Sequence, residues 1–212
     1  MKKRLLACLL TVAMLVSFIP RPALAADAGD VTYRDYDENS QTWNETATRA
    51  AGTYTLVSSG DATWGDDGHD GWYVLNADTK FGSRISVTGD VHLILKDGCT
   101  LTAYLGINVA DDNSLTVYAQ SNGTGALVAS GRSGYGPAGI GGSRGGAGGK
   151  ITINGGKVTA TSDTGAGIGG GSGGAGGNIT INGGTVTVTS ESGGAGIGGG
   201  HGGDGGTISI TG

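Results

Sequence analysis

The sequence of 212 residues is poor in the residues that mark several protein classes. Its 2 cysteines exclude a small domain held together by several disulfide bonds. Its 3 prolines exclude a collagen-like triple helix, even though 46 of the residues are glycine. Aromatic residues make up 6% of the chain and charged residues 15%. The abundant residue is therefore glycine, at about three times its ordinary share of roughly 7%.

The N-terminus has the pattern of a secretory signal peptide. Lys2, Lys3 and Arg4 give it a positive start, residues 5–19 are almost entirely apolar, and Ala23-Leu24-Ala25 fits a cleavage site. The apolar run is shorter than the roughly 20 residues that a membrane-spanning helix needs. We therefore expect residues 1–25 to be a signal peptide. After its cleavage the protein should be secreted and extracellular, with no transmembrane segment.

The charge balance argues against a nucleic acid partner. The chain has 18 acidic and 13 basic residues and a net charge of −5, and four of the basic residues lie in the predicted signal peptide. Binding to phosphate backbones requires clustered lysine and arginine. We therefore expect neither DNA nor RNA to be a partner of this acidic, exported chain.

An internal repeat dominates the C-terminal part of the sequence. Copies beginning at Ala138, Ala166 and Ala195 share the pattern AGIGG, a glycine-rich stretch and ITINGG or a close variant, at a period of 28 to 29 residues. The short alternating runs within each copy predict strands with one buried face. Since one repeat cannot bury its own apolar face, we predict an all-β, right-handed parallel β-helix in which identical coils stack. A bundle of extended glycine-rich segments is the alternative for the glycine stretches.

The repeats also predict which residues face inward. Asn154 and Asn182 should stack at the corner after each Ile-Thr-Ile run, where Asn and Gly tolerate a positive φ. The inward-facing residues should be Ile151, Ile153, Val158, Ala160, Ile179, Ile181, Val186, Val188, Ile208 and Ile210, with Ile140, Ile168 and Ile197 on a third wall.

Weaker copies of the same pattern extend the predicted solenoid upstream. We expect the glycine-rich β-helix to span residues 84–212, with the regular repeats from residue 138, and residues 26–83 to form a small N-terminal cap over the first coil. Because the third copy stops short at Gly212, we also expect the chain to be truncated at its C-terminus.

The segments GDVHLILKDGCTLTA, SLTVYAQS and AGIGGG…GGNITINGGTVTVTS resemble glycine-rich secreted surface proteins of Gram-positive bacteria. This resemblance covers roughly residues 70–212 and implies a large exported protein at the cell surface. The ITINGGTVTVTS element is also similar to repeats of carbohydrate-binding β-helix proteins that share their fold with polysaccharide lyases. That second resemblance implies polysaccharide binding, with calcium in some members.

An acidic loop and two tryptophans are candidate site residues. Asp66, Asp67 and Asp70 form the densest acidic cluster, and calcium prefers such oxygen ligands. The alternative, which we favour, is a solvated turn. Trp64 and Trp72 flank this loop and offer faces for sugar stacking, although packing in a buried cap is an equally good interpretation.

Threonines of the repeats are the other candidates. Thr159 and Thr161, and one repeat later Thr187 and Thr189, alternate with the predicted core residues and should face outward. Such threonine ranks can hydrogen-bond a polysaccharide or match an ice lattice, and threonine also simply suits a solvent-facing strand.

These patterns together predict a non-enzymatic cell-surface or adhesion module that binds polysaccharide or a host glycan. No cofactor is expected, and calcium at the acidic loop is the weaker alternative to a solvated turn. A β-helix enzyme acting on polysaccharides is one alternative, since such an enzyme would place a base or paired carboxylates on an outward strand face. A purely structural surface stalk is the other.

Overall fold

A computed structural model describes residues 29–65, 68–131, 134 and 136–211. The predicted signal peptide lies outside these residues. In chain order the strands are β1 (Val31–Asp37), β2 (Thr42–Arg49), β3 (Thr55–Leu56), β4 (Thr63–Trp64), β5 (Trp72–Leu75), β6 (Thr79–Phe81), β7 (Ile85–Val87), β8 (Asp90–Leu95), β9 (Thr100–Ala103), β10 (Ile107–Asn108), β11 (Ser114–Ala119), β12 (Ala126–Gly131), β13 (Ile140–Gly141), β14 (Lys150–Ile153), β15 (Lys157–Ser162), β16 (Ile168–Gly169), β17 (Asn178–Ile181), β18 (Thr185–Ser190), β19 (Ile197–Gly198) and β20 (Thr207–Ile210).

All strands after the first two form three parallel sheets. The seven-stranded sheet has the order β20-β17-β14-β11-β8-β5-β3, the six-stranded sheet β19-β16-β13-β10-β7-β4 and the five-stranded sheet β18-β15-β12-β9-β6. From β4 onward the chain visits the three sheets in turn and pairs each strand with its equivalent one coil later. The fold is a right-handed parallel β-helix, which confirms the predicted fold class.

The interior of the solenoid consists of stacked apolar side chains. Leu115 pairs in register with Ile151, and Ile151 with Ile179, so that each inward side chain rests on its equivalents in the neighbouring coils. Val186, Val188 and Ile197 are partly buried against this core, as is the unpaired Cys99. Apart from Val186 and Val188, the predicted inward residues of the first two repeats are buried as expected: Ile140, Ile151, Ile153, Val158, Ala160, Ile168, Ile179 and Ile181.

The last coil departs from this prediction. Ile208 and Ile210 follow the register of the earlier coils, yet they are 43% and 61% exposed. The reason is geometric, since β20 is the outermost strand of its sheet among the described residues. Its side chains therefore pack against one neighbouring coil instead of two.

The corner asparagines form a buried ladder, as predicted. Asn182 Nδ2 donates to Asn154 Oδ1 at 2.9 Å, and Thr211 Oγ1 donates to Asn182 Oδ1 at 2.9 Å. The positive φ at these corners falls on the glycines, with values of 85° at Gly156 and 93° at Gly184, and not on the asparagines. The asparagines thus stay in ordinary backbone regions and use their amides to join successive coils.

The glycine-rich stretches form stacked loops within the coils, not a separate bundle of extended segments. Gly145 N donates to Ser172 O at 2.8 Å, and Gly148 N donates to Ala175 O at 2.9 Å. A Cβ added at Gly174 would overlap the carbonyl oxygen of Gly146 in the preceding loop. The loops therefore pack backbone on backbone, which only glycine permits.

The β-helix begins before residue 84. Strands β3 to β6 already belong to the parallel sheets, so the first coil starts at Thr55 within the segment expected to be a cap. Large aromatic side chains fill this coil, since Trp64 stacks on Tyr73 at a centroid distance of 5.0 Å and meets Phe81 edge-on at 5.9 Å. The interior of the first coil is thus filled by aromatic side chains, within the segment expected to be a cap.

The antiparallel hairpin of β1 and β2 lies on the side of the solenoid. Gln120 Nε2 donates to Thr32 O at 3.0 Å, and Asn154 Nδ2 lies 3.5 Å from Asp35 Oδ1. These two contacts lie in the neighbouring coils of β11 and β14, and the apolar cluster of Val31 and Tyr33 with Val74 extends back to the coil of β5, so the hairpin crosses several coils. Its apolar contacts explain the position, because the seven-stranded sheet is apolar on its outer face here: Val31, Tyr33 and Tyr54 cluster with Val74, Ile94 and Tyr118.

Candidate functional site

The outer face of the five-stranded sheet is rich in threonine. Its strands β6, β9, β12, β15 and β18 are parallel, and their inward residues, such as Leu127 and Val158, are buried. Alternation then directs the intervening residues outward. We call this outer surface the threonine face. Its residues form three rows, each made of residues that pair in register across neighbouring strands, and Tyr104 directly follows β9. The rows are Thr100, Ala126, Lys157 and Thr185; Lys80, Thr102, Val128, Thr159 and Thr187; and Ser130, Thr161 and Thr189.

The structure brings the four predicted threonines together. Thr159 pairs in register with Thr187, and Thr161 with Thr189. Thr187 and Thr189 are exposed, whereas Thr159 and Thr161 are half-buried. Neighbouring strands lie about 4.8 Å apart and alternate residues about 6.6 Å apart, so the hydroxyls form a regular grid.

Two exposed apolar side chains belong to the same face. Tyr104 is 51% exposed and Val128 is 36% exposed. Both lie in the coils before the regular repeats, where the sequence pattern did not mark them. A phenol ring and a branched aliphatic group beside a hydroxyl grid give this face both polar and apolar contact areas.

The charges around the threonine face are sparse. Among the residues that the structure describes on this face, Lys80 and Lys157 are the exposed cations. Asp78 Oδ1 accepts a hydrogen bond of 2.7 Å from the backbone nitrogen of Thr100, at one edge of the face. Asp163 and Glu191 directly follow β15 and β18 at the opposite edge. The face therefore carries charges of both signs at its borders and hydroxyls in its centre.

Trp64 is not available to a ligand, and its sugar-stacking assignment is wrong. The residue has 0% exposure, and Trp64 Nε1 donates to the carbonyl oxygen of Asp61 at 3.1 Å. The indole is inside the first coil because the interior there needs bulk that later coils obtain from stacked isoleucines. The alternative interpretation of Trp64 as a packing residue is the one the structure supports.

Trp72 is half-buried beneath the hairpin and already packed. Its ring stacks on His92 at 4.3 Å and on Tyr118 at 5.4 Å, and the Arg49 guanidinium lies 4.6 Å from the ring centroid. Tyr33 of β1 also approaches it, at 5.4 Å. A sugar could stack on Trp72 only after the hairpin had moved.

The acidic loop is described only in part. Asp66 and Asp67 lie outside the described residues. The Asp70 side chain is 95% exposed, and its Oδ2 lies 4.0 Å from Arg49 Nη2, as a weak surface ion pair. Within the ranges that the structure describes, no group of three or more His, Cys, Asp or Glu residues is arranged to hold a metal ion. Calcium binding at this loop stays a prediction.

A cleft at the tip of the hairpin was not predicted from the sequence. It has a volume of about 560 Å³. Burial raises the pKa of Asp35 there, helped by the charge of Asp37, although a backbone hydrogen bond from Tyr36 opposes the shift. Hydrogen bonds from Asn39 and Ser40 lower the pKa of Asp37. The lining residues are Asp35, Tyr36, Asp37, Glu38, Asn39, Thr42, Trp43 and Asn44.

Arg84 is a second feature that the sequence did not reveal. Its Nη1 donates to the carbonyl oxygens of Leu105 and Ala138 at 2.8 and 2.9 Å. Its Nη2 donates to those of Ile107, Gly141 and Gly142 at 3.2, 3.0 and 3.3 Å. Burial lowers the pKa of this guanidinium to about 10. The side chain thus joins three consecutive coils through backbone oxygens.

Part of the repeat array matches a known family model. That model is described as a beta helix repeat. It matches residues 151–174 and 179–201, which include the four predicted threonines. No curated protein and no solved structure matches the chain significantly. The match supports the likeness to parallel β-helix proteins and leaves the resemblance to Gram-positive surface proteins a prediction.

The described strands and loops include no helix that is long and apolar enough to cross a membrane.

Proposed function

We propose that this protein is an exported, non-enzymatic surface or adhesion module that binds polysaccharide through the threonine face. The observation that carries the proposal is the in-register grid of hydroxyls on the four adjacent parallel strands β9, β12, β15 and β18, with Tyr104 and Val128 exposed within it. Export rests on the signal peptide expected at residues 1–25.

The chemistry of the threonine face suits a sugar polymer. Threonine and serine hydroxyls both donate and accept hydrogen bonds, as sugar hydroxyls do. The threonine methyl groups, Val128 and the Tyr104 ring offer apolar area to the C–H faces of sugar rings. A face that repeats in every coil can contact several units of a repeating polymer, and linked weak contacts give avidity.

The same side chains favour binding over catalysis. Glycoside cleavage uses a pair of carboxyl groups or a general base held at the scissile bond. The centre of the threonine face presents hydroxyl and methyl groups, and its acids Asp163 and Glu191 follow the strand ends. A polysaccharide-degrading enzyme and a purely structural stalk are the competing functions that an experiment must separate.

The test is a binding screen of residues 26–212 against soluble and insoluble polysaccharides, with and without calcium, with released sugar assayed in parallel. We expect binding without sugar release. The double variant Thr161→Val/Thr189→Val removes two hydroxyls and keeps the side-chain shape. At about 0.5 to 1.5 kcal/mol for each lost hydrogen bond, the two losses amount to about 1 to 3 kcal/mol, so its affinity should fall about 5- to 150-fold.

Controls separate the threonine face from other surfaces. Thr180→Val removes an outward hydroxyl from the seven-stranded sheet and should leave binding unchanged. Glu38→Gln tests the hairpin-tip cleft in the same way. Release of sugar would favour the enzyme, and no binding to any polysaccharide would favour the stalk. Loss of binding in Glu38→Gln alone would move the site to the cleft.

A further inference from the structure

The β1–β2 hairpin closes over a histidine on the outer face of the seven-stranded sheet. The His92 ring stacks on Trp72 at 4.3 Å with an interplanar angle of 11°. Its Nδ1 lies 3.1 Å from the Tyr118 hydroxyl, and the Tyr118 ring stacks nearby at 5.9 Å. From above, Tyr33 of β1 packs edge-on against Tyr118 at 4.9 Å. His92 is therefore part of the aromatic seam that the hairpin covers.

The hairpin also brings a positive charge to this seam. The Arg49 guanidinium at the end of β2 lies 4.6 Å from the Trp72 ring centroid, and its Nε donates to Thr53 O at 3.0 Å. Its partner Asp70 is 95% exposed and 4.0 Å away, so that carboxylate compensates little of the charge. A second cation formed on His92 would therefore repel Arg49.

Other charged and titratable groups around His92 act in both directions. Asp90, on the same strand, favours the protonated ring, while burial and Arg49 disfavour it. Burial comes first among these causes, and the pKa of His92 is lowered from its usual range. Asp35 and Tyr33 of β1 and Thr116 of β11 influence the Tyr118 hydroxyl, whose pKa is raised chiefly by burial. Burial and Arg49 in the docked arrangement thus favour the neutral form of the histidine.

Protonation should weaken hairpin docking for two physical reasons. The charged ring must be desolvated beneath the hairpin, whereas in an undocked state water reaches it. When the ring is protonated, Nδ1 carries a hydrogen and must donate to the Tyr118 hydroxyl, so the hydroxyl can no longer donate to that nitrogen. Since the docked state binds fewer protons than the undocked one, docking is strongest above the ordinary histidine pKa of about 6.5 and weakens as the pH falls through it.

We propose that the β1–β2 hairpin is an acid-sensitive strap, which protonation of His92 loosens from the solenoid. Loosening exposes the apolar patch formed by Val74, Ile94 and Tyr118, and it frees the Trp72 ring. The solenoid itself is held by stacked coils elsewhere and keeps its parallel sheets. The strap is independent of glycan binding, because the threonine face belongs to a different sheet.

The test is hydrogen exchange of backbone amides in the whole mature chain between pH 7.5 and 4.5. The amides of β1 and β2 are followed, and those of β15 in the solenoid serve as the internal reference at each pH. In the wild type we expect a several-fold loss of hairpin protection relative to β15 as the pH falls. His92→Phe keeps an aromatic ring without a titrating group and should abolish that loss.

Two further variants keep the test decisive. His92→Gln replaces His92→Phe if the phenylalanine fails to fold, as judged by circular dichroism. His201→Gln removes an exposed histidine from a glycine loop and should behave like the wild type. A wild-type hairpin whose protection does not change with pH, or an unchanged loss in a folded His92 variant, would overturn the proposal.

Discussion

Truncation of one interior isoleucine should cost far more in the middle of the solenoid than at its end. Ile151 is 0% exposed and stacks in register between Leu115 and Ile179. Ile151→Ala leaves a cavity closed on both sides, for which about 2 to 5 kcal/mol of unfolding free energy is lost. Ile208 occupies the same position of the repeat but is 43% exposed and has Ile179 as its one strand partner. Ile208→Ala should cost about 1 to 2 kcal/mol or less, because less area leaves an apolar environment.

The two variants are compared by urea unfolding followed by far-UV circular dichroism at 25 °C. Ile151→Val should fall between the wild type and Ile151→Ala, at about 0.5 to 1.5 kcal/mol, because its cavity is smaller. The denaturant slope of each variant must match that of the wild type for the free energies to be compared. Equal losses in Ile151→Ala and Ile208→Ala would refute the stacked register as the source of stability.

Three further substitutions test individual features of the fold. Arg84→Met removes the guanidinium donor from five backbone carbonyls, of which Gly141 O and Gly142 O keep backbone donors, and should cost about 3 kcal/mol in urea unfolding, whereas Arg84→Lys should recover part of that loss. Asn182→Ala breaks the buried ladder and should cost about 1 to 3 kcal/mol, against a change within about 0.5 kcal/mol for the exposed Asn122→Ala. Trp64→Leu should lower thermal stability strongly while polysaccharide binding by the folded protein stays at the wild-type level, and weakened binding at unchanged stability would contradict the burial of Trp64.

The regular repeats made half of the architecture predictable. Ile151 and Ile179 occur at equivalent places in near-identical copies, so their stacking follows from the periodicity. The Asn154–Asn182 ladder follows for the same reason, since an amide repeated at one corner can pair with its own equivalent. Where successive coils have nearly the same sequence, the repeat period alone predicts which residues pair between neighbouring strands.

The early coils were harder to predict because their strands are short and their residues differ. Strands β3 and β4 have two residues each, which is too few to show an alternation. Trp64 lies beside an acidic loop, so its sequence context did not distinguish an exposed residue from a buried one. Nothing in the sequence of β1 states that Tyr33 meets Tyr118, about 85 residues away in the chain, because such contacts depend on the coil geometry.

In the candidate site, too, the residues of the regular repeats were predictable and those of the earlier coils were not. Thr159, Thr161 and their equivalents were predicted because alternation within a strand fixes which side chains face outward. Tyr104 and Val128 joined them only through the register of β9 and β12 with β15. The neighbours of a binding face come from strands that are distant in sequence, so periodicity alone identifies the repeated part of the face.

The backbone-on-backbone loops have a consequence for how such a chain can vary in length. Because a Cβ at Gly174 or Gly203 would overlap a carbonyl oxygen of the preceding loop, a partial insertion would force side chains into places that only glycine fits. Insertion of a whole coil avoids this overlap, since a complete repeat places its own glycines at the positions where the loops are in contact. Gene duplication should therefore lengthen the solenoid in fixed steps of one rung, about 4.8 Å of axial length for each repeat added. The number of repeats should thus set the distance between the two ends of the solenoid, while its cross-section stays the same.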